Sequence, residues 1–316
     1  MRKILISAAI LGFLFSFYCE SKEKQELLVI HAGSLSVPFS HMAREFMEQN
    51  PDIIVRRESA GSRTCARKIT ELNSPADVMA SADSAVIQTL LIPGYADYCI
   101  DFTTNEMVVM YRKESRYSGE IDAENWHEVL LRDDVWYGHS EPDADPCGYR
   151  TMLCWKLAEK HYGKPGLYKE LMRNCPKKNI RPKEVDLLAL LECGELDYIF
   201  IYRSVAEQHN GKFVLLPDEI NLKSPEMKDL YQEVSIELSG EKPGETISRK
   251  GAPMVYGITV PKTAAHPELG VKFVSFVLSE KGKEVMAKNG QPEIIPPRVD
   301  CFEKLPQELK RFFRNE

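Results

Sequence analysis

The regular pattern of the chain begins at residue 27, where a short apolar run is followed by an amphipathic stretch. Residues 27–30 are apolar throughout, as in a buried strand. Phe39, Met42, Ala43 and Phe46 then recur at helical spacing, with charged residues between them. The pattern predicts a strand followed by a helix that packs one face against a core.

A glycine and two hydroxyl residues, Gly33, Ser34 and Ser36, separate this strand from this helix. The first turn of a helix carries backbone N–H groups without partners, and the helix dipole favours negative charge there. Such a turn can hold an anion. A serine before a helix is equally typical of an ordinary N-cap, so one turn of this kind does not by itself predict a site.

Three more segments repeat the arrangement of a strand, a polar turn and a helix. Residues 53–55 are apolar and precede Gly61 and Ser62, after which a second amphipathic stretch begins. Asp145 and Pro146 open another predicted helix, with the aspartate as its cap and the proline at its first position. The alternation of strands and helices predicts βαβ units.

The last of these segments predicts a helix over residues 185–193. Pro182 suits its first position, which places Glu184 near its third position, where a carboxylate complements the helix dipole. Gly194 is predicted to end the helix, and residues 196–202 then form a strand that ends at Tyr202.

Two β-like runs, at 107–110 and 253–260, are predicted to cross between two lobes, and 267–290 is predicted to be helical. Residues 27–107 and 257–316 would form lobe I, and residues 108–256 would form lobe II. Each lobe is expected to be a mixed, mainly parallel sheet flanked by helices. Two α/β lobes joined by two hinge strands predict a clamp with a ligand cleft between them.

Composition and charge limit the classes of partner that the chain can bind. The chain has 316 residues, a net charge of −6 and no dense tract of Lys or Arg, which excludes nucleic acid as a partner. An anionic ligand would therefore be held by local dipoles against the overall charge. We also expect a monomer with no cofactor.

The N-terminus resembles a targeting segment. Two basic residues precede an apolar run over 4–18, which is too short to span a bilayer comfortably, and Cys19 and a polar stretch follow. Residues 1–19 are predicted to be a signal peptide and 20–26 a linker. The segment resembles a bacterial lipoprotein signal with Cys19 as the lipidated residue, but the residues before Cys19 are bulky, so plain secretion stays open. Both interpretations predict export to the periplasm or the outer face of the membrane.

Seven further cysteines are found at 65, 99, 147, 154, 175, 193 and 301. Seven is an odd number, so at least one thiol is unpaired within the chain, and one disulfide is compatible with export. The spacing of Cys and His residues does not match a zinc site.

Four motifs in order resemble the periplasmic molybdate/tungstate-binding proteins of ABC importers, in particular the tungstate/molybdate branch common in archaea. They are His31-Ala32-Gly33-Ser34-Leu35-Ser36-Val37-Pro38-Phe39, Asp145-Pro146-Cys147-Gly148-Tyr149-Arg150, the segment from Arg181 to Leu187 and the segment from Leu196 to Tyr202. The resemblance covers roughly residues 27–300 and implies a two-lobed α/β fold of the type II periplasmic-binding-protein class.

The resemblance also implies a set of binding residues. Ser34 and Ser62 would donate hydrogen bonds to the oxyanion, and Leu35 would contribute its backbone N–H. Asp145 and Glu184 would correspond to the two carboxylates that distinguish this branch, and Tyr202 to a tyrosine that points its hydroxyl at the ligand. The implied partners are molybdate or tungstate, an ABC permease and, through Cys19, the membrane surface.

Two carboxylates aimed at a dianion should repel it unless they bond to its metal. Hexavalent molybdenum or tungsten is a hard centre that can expand from four oxygen ligands to six, and carboxylates suit hard metals. Sulfate and phosphate offer no such centre, so the same carboxylates would discriminate against them. Asp145 and Glu184 are therefore predicted to be ligands of the metal in the bound oxyanion.

Other interpretations stay open at this point. Asp145 and Glu184 fit capping positions, and a tyrosine at a strand end, such as Tyr202, often serves packing. A lone histidine such as His31 is expected to be structural, whereas His139 lies near Asp143 and Asp145 but has no Ser or Cys nucleophile in the context of a triad. Arg63 and Arg150 are expected to pair at the surface or behind the cleft.

The rival functions are a receptor for sulfate, phosphate or ferric iron on the same fold, or an exported enzyme that uses Asp145, Glu184 or Cys147. A cytoplasmic ligand sensor is disfavoured by the predicted signal peptide.

Overall fold

The computed structural model describes residues 24–240 and 244–313. The predicted signal peptide, Cys19 and the first part of the predicted linker lie outside these residues. The described strands are β1 Gln25–Ala32, β2 Ile53–Ala60, β3 Val78–Ser81, β4 Ile100–Thr103, β5 Met107–Tyr111, β6 Tyr137–Ser140, β7 Ile180–Arg181, β8 Tyr198–Tyr202, β9 Lys212–Leu215, β10 Ser235–Ser239, β11 Thr246–Lys250, β12 Tyr256–Thr259 and β13 Glu293–Val299. The described α-helices are α1 Ser36–Gln49, α2 Ser62–Leu72, α3 Ser84–Leu90, α4 Trp126–Leu130, α5 Pro146–His161, α6 Leu167–Asn174, α7 Asp186–Glu192, α8 Arg203–Gln208, α9 Lys228–Tyr231, α10 Pro267–Val277, α11 Glu280–Lys288 and α12 Gln307–Lys310.

Among the described residues, the strands form two main sheets and one hairpin. One sheet has six strands in the order β13-β4-β12-β3-β1-β2, the other has five in the order β7-β6-β8-β5-β9, and β10 and β11 form the hairpin. We call the six-stranded sheet and its helices lobe I, and the five-stranded sheet and its helices lobe II. The architecture is the expected α/β fold with two sheets flanked by helices.

The sheets are less parallel than the alternation of strands and helices predicted. β1 pairs in parallel with β2 and β3, and β6 pairs in parallel with β7 and β8. β12 lies antiparallel between β3 and β4, and β5 lies antiparallel between β8 and β9. β13 also pairs antiparallel with β4, so the described residues show three antiparallel pairings in the six-stranded sheet and two in the five-stranded sheet.

The chain changes sheet in two short coil segments. Residues 104–106 join β4 to β5, and residues 251–255 join β11 to β12. The predicted strand at 253–260 is therefore shorter, because only Tyr256–Thr259 pairs in the sheet. The lobe boundaries predicted from the sequence remain a prediction, with the changes of sheet falling close to them.

The predicted apolar stripe of the first helix is confirmed and forms the centre of lobe I. Phe39 and Phe46 are fully or almost fully buried. Their rings lie 6.0 and 5.2 Å from the ring of Phe273 on α10, in edge-to-face arrangements that favour aromatic pairs. The predicted helix over 267–290 is two helices. The first, α10, ends at Val277, and the hydroxyl of Ser279 then caps the start of α11.

All seven cysteines of the described part of the chain are free thiols, five of them buried. The structure therefore contains none of the disulfides that the sequence left open for these residues. In the described part of the chain no helix combines the length and apolar character needed to cross a bilayer.

Candidate functional site

The turn after β1 places Ser34 in the interior between the lobes. β1 ends at Ala32, and Gly33–Leu35 form a short 3-10 turn that leads directly into α1. Ser34 is 1% exposed, and its Oγ lies 3.0 Å from the hydroxyl of Tyr256 on β12. Leu35 is buried in the core of lobe I.

The other lobe approaches this turn closely at Gly33. A Cβ at Gly33 would lie 2.7 Å from Oε2 of Glu184, which belongs to lobe II. The Glu184 carboxyl thus contacts the backbone of the turn that carries Ser34. The sequence placed these two motifs about 150 residues apart, and the fold brings them into contact.

Ser62 is the first residue of α2 and is fully buried. Its Oγ accepts a hydrogen bond of 2.9 Å from the backbone N–H of Ala82. The next two amides of α2, those of Arg63 and Thr64, donate to the carbonyl oxygen of Ala144 in lobe II at 3.1 and 3.3 Å. The N-terminus of α2 therefore binds the other lobe as well as presenting a hydroxyl, and these two amides are not free for an anion.

Asp145 precedes Pro146, the first residue of α5, as predicted, but its side chain does not cap that helix. Its Oδ2 instead accepts a hydrogen bond of 3.1 Å from the backbone N–H of Glu184. Glu184 is not inside a helix, since α7 begins only at Asp186. The predicted placement of Pro182 and Glu184 in the first turn of this helix is wrong, because a short turn over 182–185 precedes it.

The two carboxyls form a buried pair. Asp145 and Glu184 are both 0% exposed. Within the described residues, no hydrogen bond of normal geometry reaches Oδ1 of Asp145 or either carboxyl oxygen of Glu184. Their polar neighbours are each other and the hydroxyls of Ser34 and Ser140. Burial raises the pKa of both groups, and the proximity of the Asp145 charge raises that of Glu184 further. Buried carboxyl oxygens without partners are costly, so their presence indicates a ligand that satisfies them.

Tyr202 ends β8 and is fully buried. Its hydroxyl oxygen accepts a hydrogen bond of 3.0 Å from Nη1 of Arg150, and the same nitrogen donates to the carbonyl oxygen of Ala82 in lobe I at 2.6 Å. Arg150 is only 3% exposed, so of the two expected placements the structure shows the one behind the cleft and not the one at the surface. Arg63 is buried as well and donates through Nε to the carbonyl oxygen of Asp143 at 3.2 Å.

All six predicted site residues, Ser34, Leu35, Ser62, Asp145, Glu184 and Tyr202, are buried, and all but Leu35, which follows Ser34 in the same turn, lie where the two lobes meet. The hydroxyls come from both lobes and the carboxyls from lobe II alone. Hydrogen-bond donors that surround two unsatisfied carboxyls can hold an oxyanion whose central atom accepts further oxygen ligands.

A second group of residues joins the lobes, and the sequence analysis missed it. We call Asp83, Tyr149, Arg150 and Arg249 the Asp83 cluster. Asp83 caps α3 by accepting from the N–H of Ala85 at 3.1 Å, and its carboxylate also accepts hydrogen bonds from the Tyr149 hydroxyl and the Arg249 guanidinium of lobe II. Nη2 of Arg150 lies 3.8 Å from its other oxygen.

Burial alone would raise the pKa of Asp83, but the charges of Arg249 and Arg150 outweigh it and hold the pKa below its usual value. Asp83 is therefore a charged group enclosed between the lobes by opposite charges. The only sequence signal for it was its position at a helix start, which is shared by many capping residues.

The two histidines near the site, His31 and His139, each contact a neighbouring backbone carbonyl oxygen. Nδ1 of His31 lies 2.8 Å from the carbonyl oxygen of Ala32, and Nδ1 of His139 lies 2.7 Å from that of Ser140. Burial lowers the pKa of each imidazole to about 4, so both are neutral near pH 7.

Solved structures of other binding proteins share the fold of this chain. The periplasmic molybdate-binding protein of Azotobacter vinelandii aligns with a TM-score of 0.62 at 17% identity, over 84% of this chain and 98% of its own. The sulfate-binding protein SubI of Mycobacterium tuberculosis aligns with a TM-score of 0.62 at 14% identity, over 86% of this chain and 88% of its own. At these identities the likeness concerns the fold alone.

Sequence comparison is more specific. A solute-binding protein of Petrotoga mobilis without an assigned ligand is 53% identical over 92% of this chain and 90% of its own length. The molybdate/tungstate-binding protein WtpA of Pyrococcus abyssi is 42% identical over 95% of this chain and 94% of its own, and WtpA of Thermococcus kodakarensis is 42% identical over 98% and 96%. Residues 27–291 match the family described as bacterial extracellular solute-binding protein. This chain belongs to that family, whose members bind solutes rather than catalyse reactions, and it is related to the WtpA proteins.

Proposed function

We propose that this protein binds molybdate or tungstate between its lobes and delivers the anion to the permease of an ABC importer. The observation that carries the proposal is the buried pair Asp145 and Glu184, which has three carboxyl oxygens without partners among the described residues. These oxygens face no Lys or Arg in an ion pair of the described chain, so a bound metal centre is the partner that their chemistry favours.

The hydroxyls of Ser34, Ser62 and Tyr202 complete the proposed site as donors to the oxide oxygens. All three are buried, so their hydrogen bonds to an anion would be made away from competing water. The two WtpA relatives described above support this choice of ligand, since both are named molybdate/tungstate-binding proteins. Binding across the cleft would favour the closed arrangement of the lobes, as expected for population shift by a ligand.

Calorimetric titration of the ligand-stripped protein with tungstate and molybdate tests the proposal. We expect one-to-one binding that survives a large excess of sulfate and of phosphate, because neither competitor offers a metal to the carboxyls. Binding that sulfate displaces would contradict direct carboxylate ligation. Phosphate binding that strengthens at low pH would instead indicate that the carboxyls accept a hydrogen bond from a protonated oxyanion.

The variant Asp145→Asn with Glu184→Gln isolates the contribution of the carboxyls, because both substitutions keep the shape and remove the anionic ligand. We expect tungstate affinity to fall by at least a hundredfold while any residual binding becomes sensitive to sulfate. Asp186→Asn, which changes a half-exposed carboxylate two residues from Glu184, is the matched control and should bind as the unaltered protein does. Retained discrimination in the double variant would overturn metal ligation.

The proposed location is the outer face of the membrane, with the chain anchored through a lipid on Cys19 and acting as a monomer. This part of the proposal rests on the N-terminal sequence and on the extracellular family. The mass of the mature protein isolated from membranes tests it, since a lipidated chain that begins at Cys19 and an unmodified secreted chain differ by the acyl groups.

A further inference from the structure

A chain of hydrogen bonds behind Ser34 begins at Asn105, in the first crossing between the lobes. Oδ1 of Asn105 accepts hydrogen bonds from the backbone N–H of Glu106 at 3.0 Å and of Ser204 at 3.3 Å. Backbone amides are donors only, so these two bonds identify the oxygen of the Asn105 amide. Its nitrogen is therefore the atom that faces Ser204 Oγ at 2.7 Å and the Tyr256 hydroxyl at 3.1 Å.

The direction of the next bond follows from the first. Because Nδ2 of Asn105 is a donor, the Tyr256 oxygen accepts from it and gives its own hydrogen to its other neighbour, Ser34 Oγ, at 3.0 Å. Ser34 then has an occupied lone pair, and its own hydrogen points away from Tyr256.

The other two hydroxyls of the proposed site, those of Ser62 and Tyr202, also accept a hydrogen bond from a neighbouring donor. Ser62 Oγ accepts from the Ala82 N–H, and the Tyr202 oxygen accepts from Arg150. Neither hydroxyl hydrogen has an acceptor among the hydrogen bonds of the described residues. Each of the three hydroxyls thus accepts a hydrogen bond from a neighbouring donor, and its own hydrogen stays available for a ligand.

We propose that Asn105 and Tyr256 are positioning residues that direct the hydrogen of the Ser34 hydroxyl away from Tyr256, so that Ser34 donates it to a fully deprotonated oxyanion, which presents only acceptors. The inference rests on the proposed oxyanion-binding function and deepens it. Neither residue is proposed to contact the ligand. Both act through Ser34, and this indirect action distinguishes the proposal from a general packing role of Tyr256.

We call this indirect action of Asn105 and Tyr256 through Ser34 the relay. A double-mutant cycle of Tyr256→Phe and Ser34→Ala tests it, with tungstate affinity measured by calorimetry. Tyr256→Phe removes only the hydroxyl, and we expect about a tenfold loss of affinity, the usual effect of one hydrogen bond. In the Ser34→Ala background the same substitution should change affinity by less than twofold, because Tyr256 then has no hydroxyl to orient. A packing role would give equal losses in both backgrounds.

Asn105→Asp provides a second variant that keeps the shape of the side chain but replaces the donor with an acceptor. The Tyr256 hydrogen would then turn toward residue 105, and Ser34 would donate to Tyr256 instead of the ligand. We expect a larger loss than with Tyr256→Phe, and a smaller loss when Ser34 is already alanine. Tyr98→Phe is the matched control, because Tyr98 is also a buried tyrosine of lobe I. Tyr98 lies before the start of β4, whereas Tyr256 pairs with Thr103 at the end of that strand.

The outcomes separate the relay from the function. Tight tungstate binding by the unaltered protein with a non-additive cycle supports the relay. Tight binding with an additive cycle overturns the relay and leaves the proposed function standing. An unaltered protein that binds no oxyanion overturns both.

Discussion

At the scale of single residues, the contact between the lobes depends on backbone atoms that approach without an intervening side chain. Gly61 precedes Ser62, and a Cβ at this position would overlap the carbonyl oxygen of Ala144 and lie 3.0 Å from Cβ of Asp145. The obstacle is backbone, which cannot rotate away as the end of a flexible side chain can. Gly33 differs in this respect, since a Cβ there would meet the movable carboxyl of Glu184.

We therefore expect Gly61→Ala to prevent full closure of the lobes. Tungstate affinity should fall by at least a hundredfold, and small-angle scattering at saturating tungstate should give a larger radius of gyration than that of the unaltered protein. Gly119→Ala is the control, because a Cβ at Gly119 would meet nothing within 4 Å. Unchanged affinity and radius in the Gly61 variant would mean that the lobes bind ligand without the contact seen here.

At the scale of elements, the hairpin of β10 and β11 extends from lobe II to hold lobe I. Arg249 on β11 binds the Asp83 carboxylate, and the carbonyl oxygen of Ser239 at the end of β10 accepts from Arg63 of lobe I. The hairpin is fixed to its own lobe partly through Asp143, whose carboxylate accepts from the N–H and the hydroxyl of Ser239 at 2.7 and 2.9 Å. The bonds of the hairpin to Asp83 and Arg63 join the two lobes, so they would have to break for the lobes to open.

Arg249→Gln should accelerate ligand release. Removing one partner of a buried charge pair typically changes the dissociation rate and costs at least about 2 kcal/mol, which corresponds to about a thirtyfold faster release. Tyr149 and Arg150 still hold Asp83, so we expect this lower bound rather than complete loss. Stopped-flow displacement of tungstate measures the rate, with Arg132→Gln, an exposed arginine paired with Glu120 in lobe II, as the control. Equal release rates in the two variants would show that the hairpin does not restrain opening.

At the scale of the whole molecule, stability and closure respond to different groups. The Asp83 cluster and the Asp145–Glu184 pair act on the equilibrium between open and closed lobes, because their partners lie in both lobes or in the cleft. His31 and His139 are buried within lobe I and lobe II, respectively, so they act on the folded state as a whole.

The free energy of unfolding should fall as the pH falls below the ordinary histidine value. Burial lowers the pKa of His31 and His139 from 6.5 to about 4, so the unfolded chain binds protons in this window and the folded chain does not. Each histidine then destabilises the protein by up to about 1.4 kcal/mol per pH unit below 6.5, and the effect is absent above it.

Urea unfolding of the ligand-free protein at pH 7.5 and at pH 5 measures this dependence. His139→Gln should reduce the difference in unfolding free energy between the two pH values. His209→Gln, at an exposed position, should leave the difference unchanged. An equal pH dependence in the unaltered protein and the His139 variant would contradict the role of a buried neutral imidazole.

The sequence by itself determined the elements whose signal is local. The stripe of Phe39, Met42, Ala43 and Phe46 predicted α1, and Pro146 predicted the start of α5, because periodicity and proline act over a few residues. The six site residues came from motifs that resemble a family, and in the fold all of them are buried. The short turn before α7 was not predicted, since Pro182 is compatible with a helix start and with a turn.

Only the tertiary structure decided which groups meet. Three contacts join residues from distant parts of the chain: the Asp145 carboxyl with the Glu184 amide, the buried Arg150 with Tyr202, and the Asp83 cluster. No local sequence pattern encodes such contacts. The same holds for the antiparallel placement of β5 and β12, each of which is the first strand of its main sheet after the chain crosses between the lobes. Local propensities select helices and strands, whereas a cleft depends on the packing of two lobes built from interleaved segments.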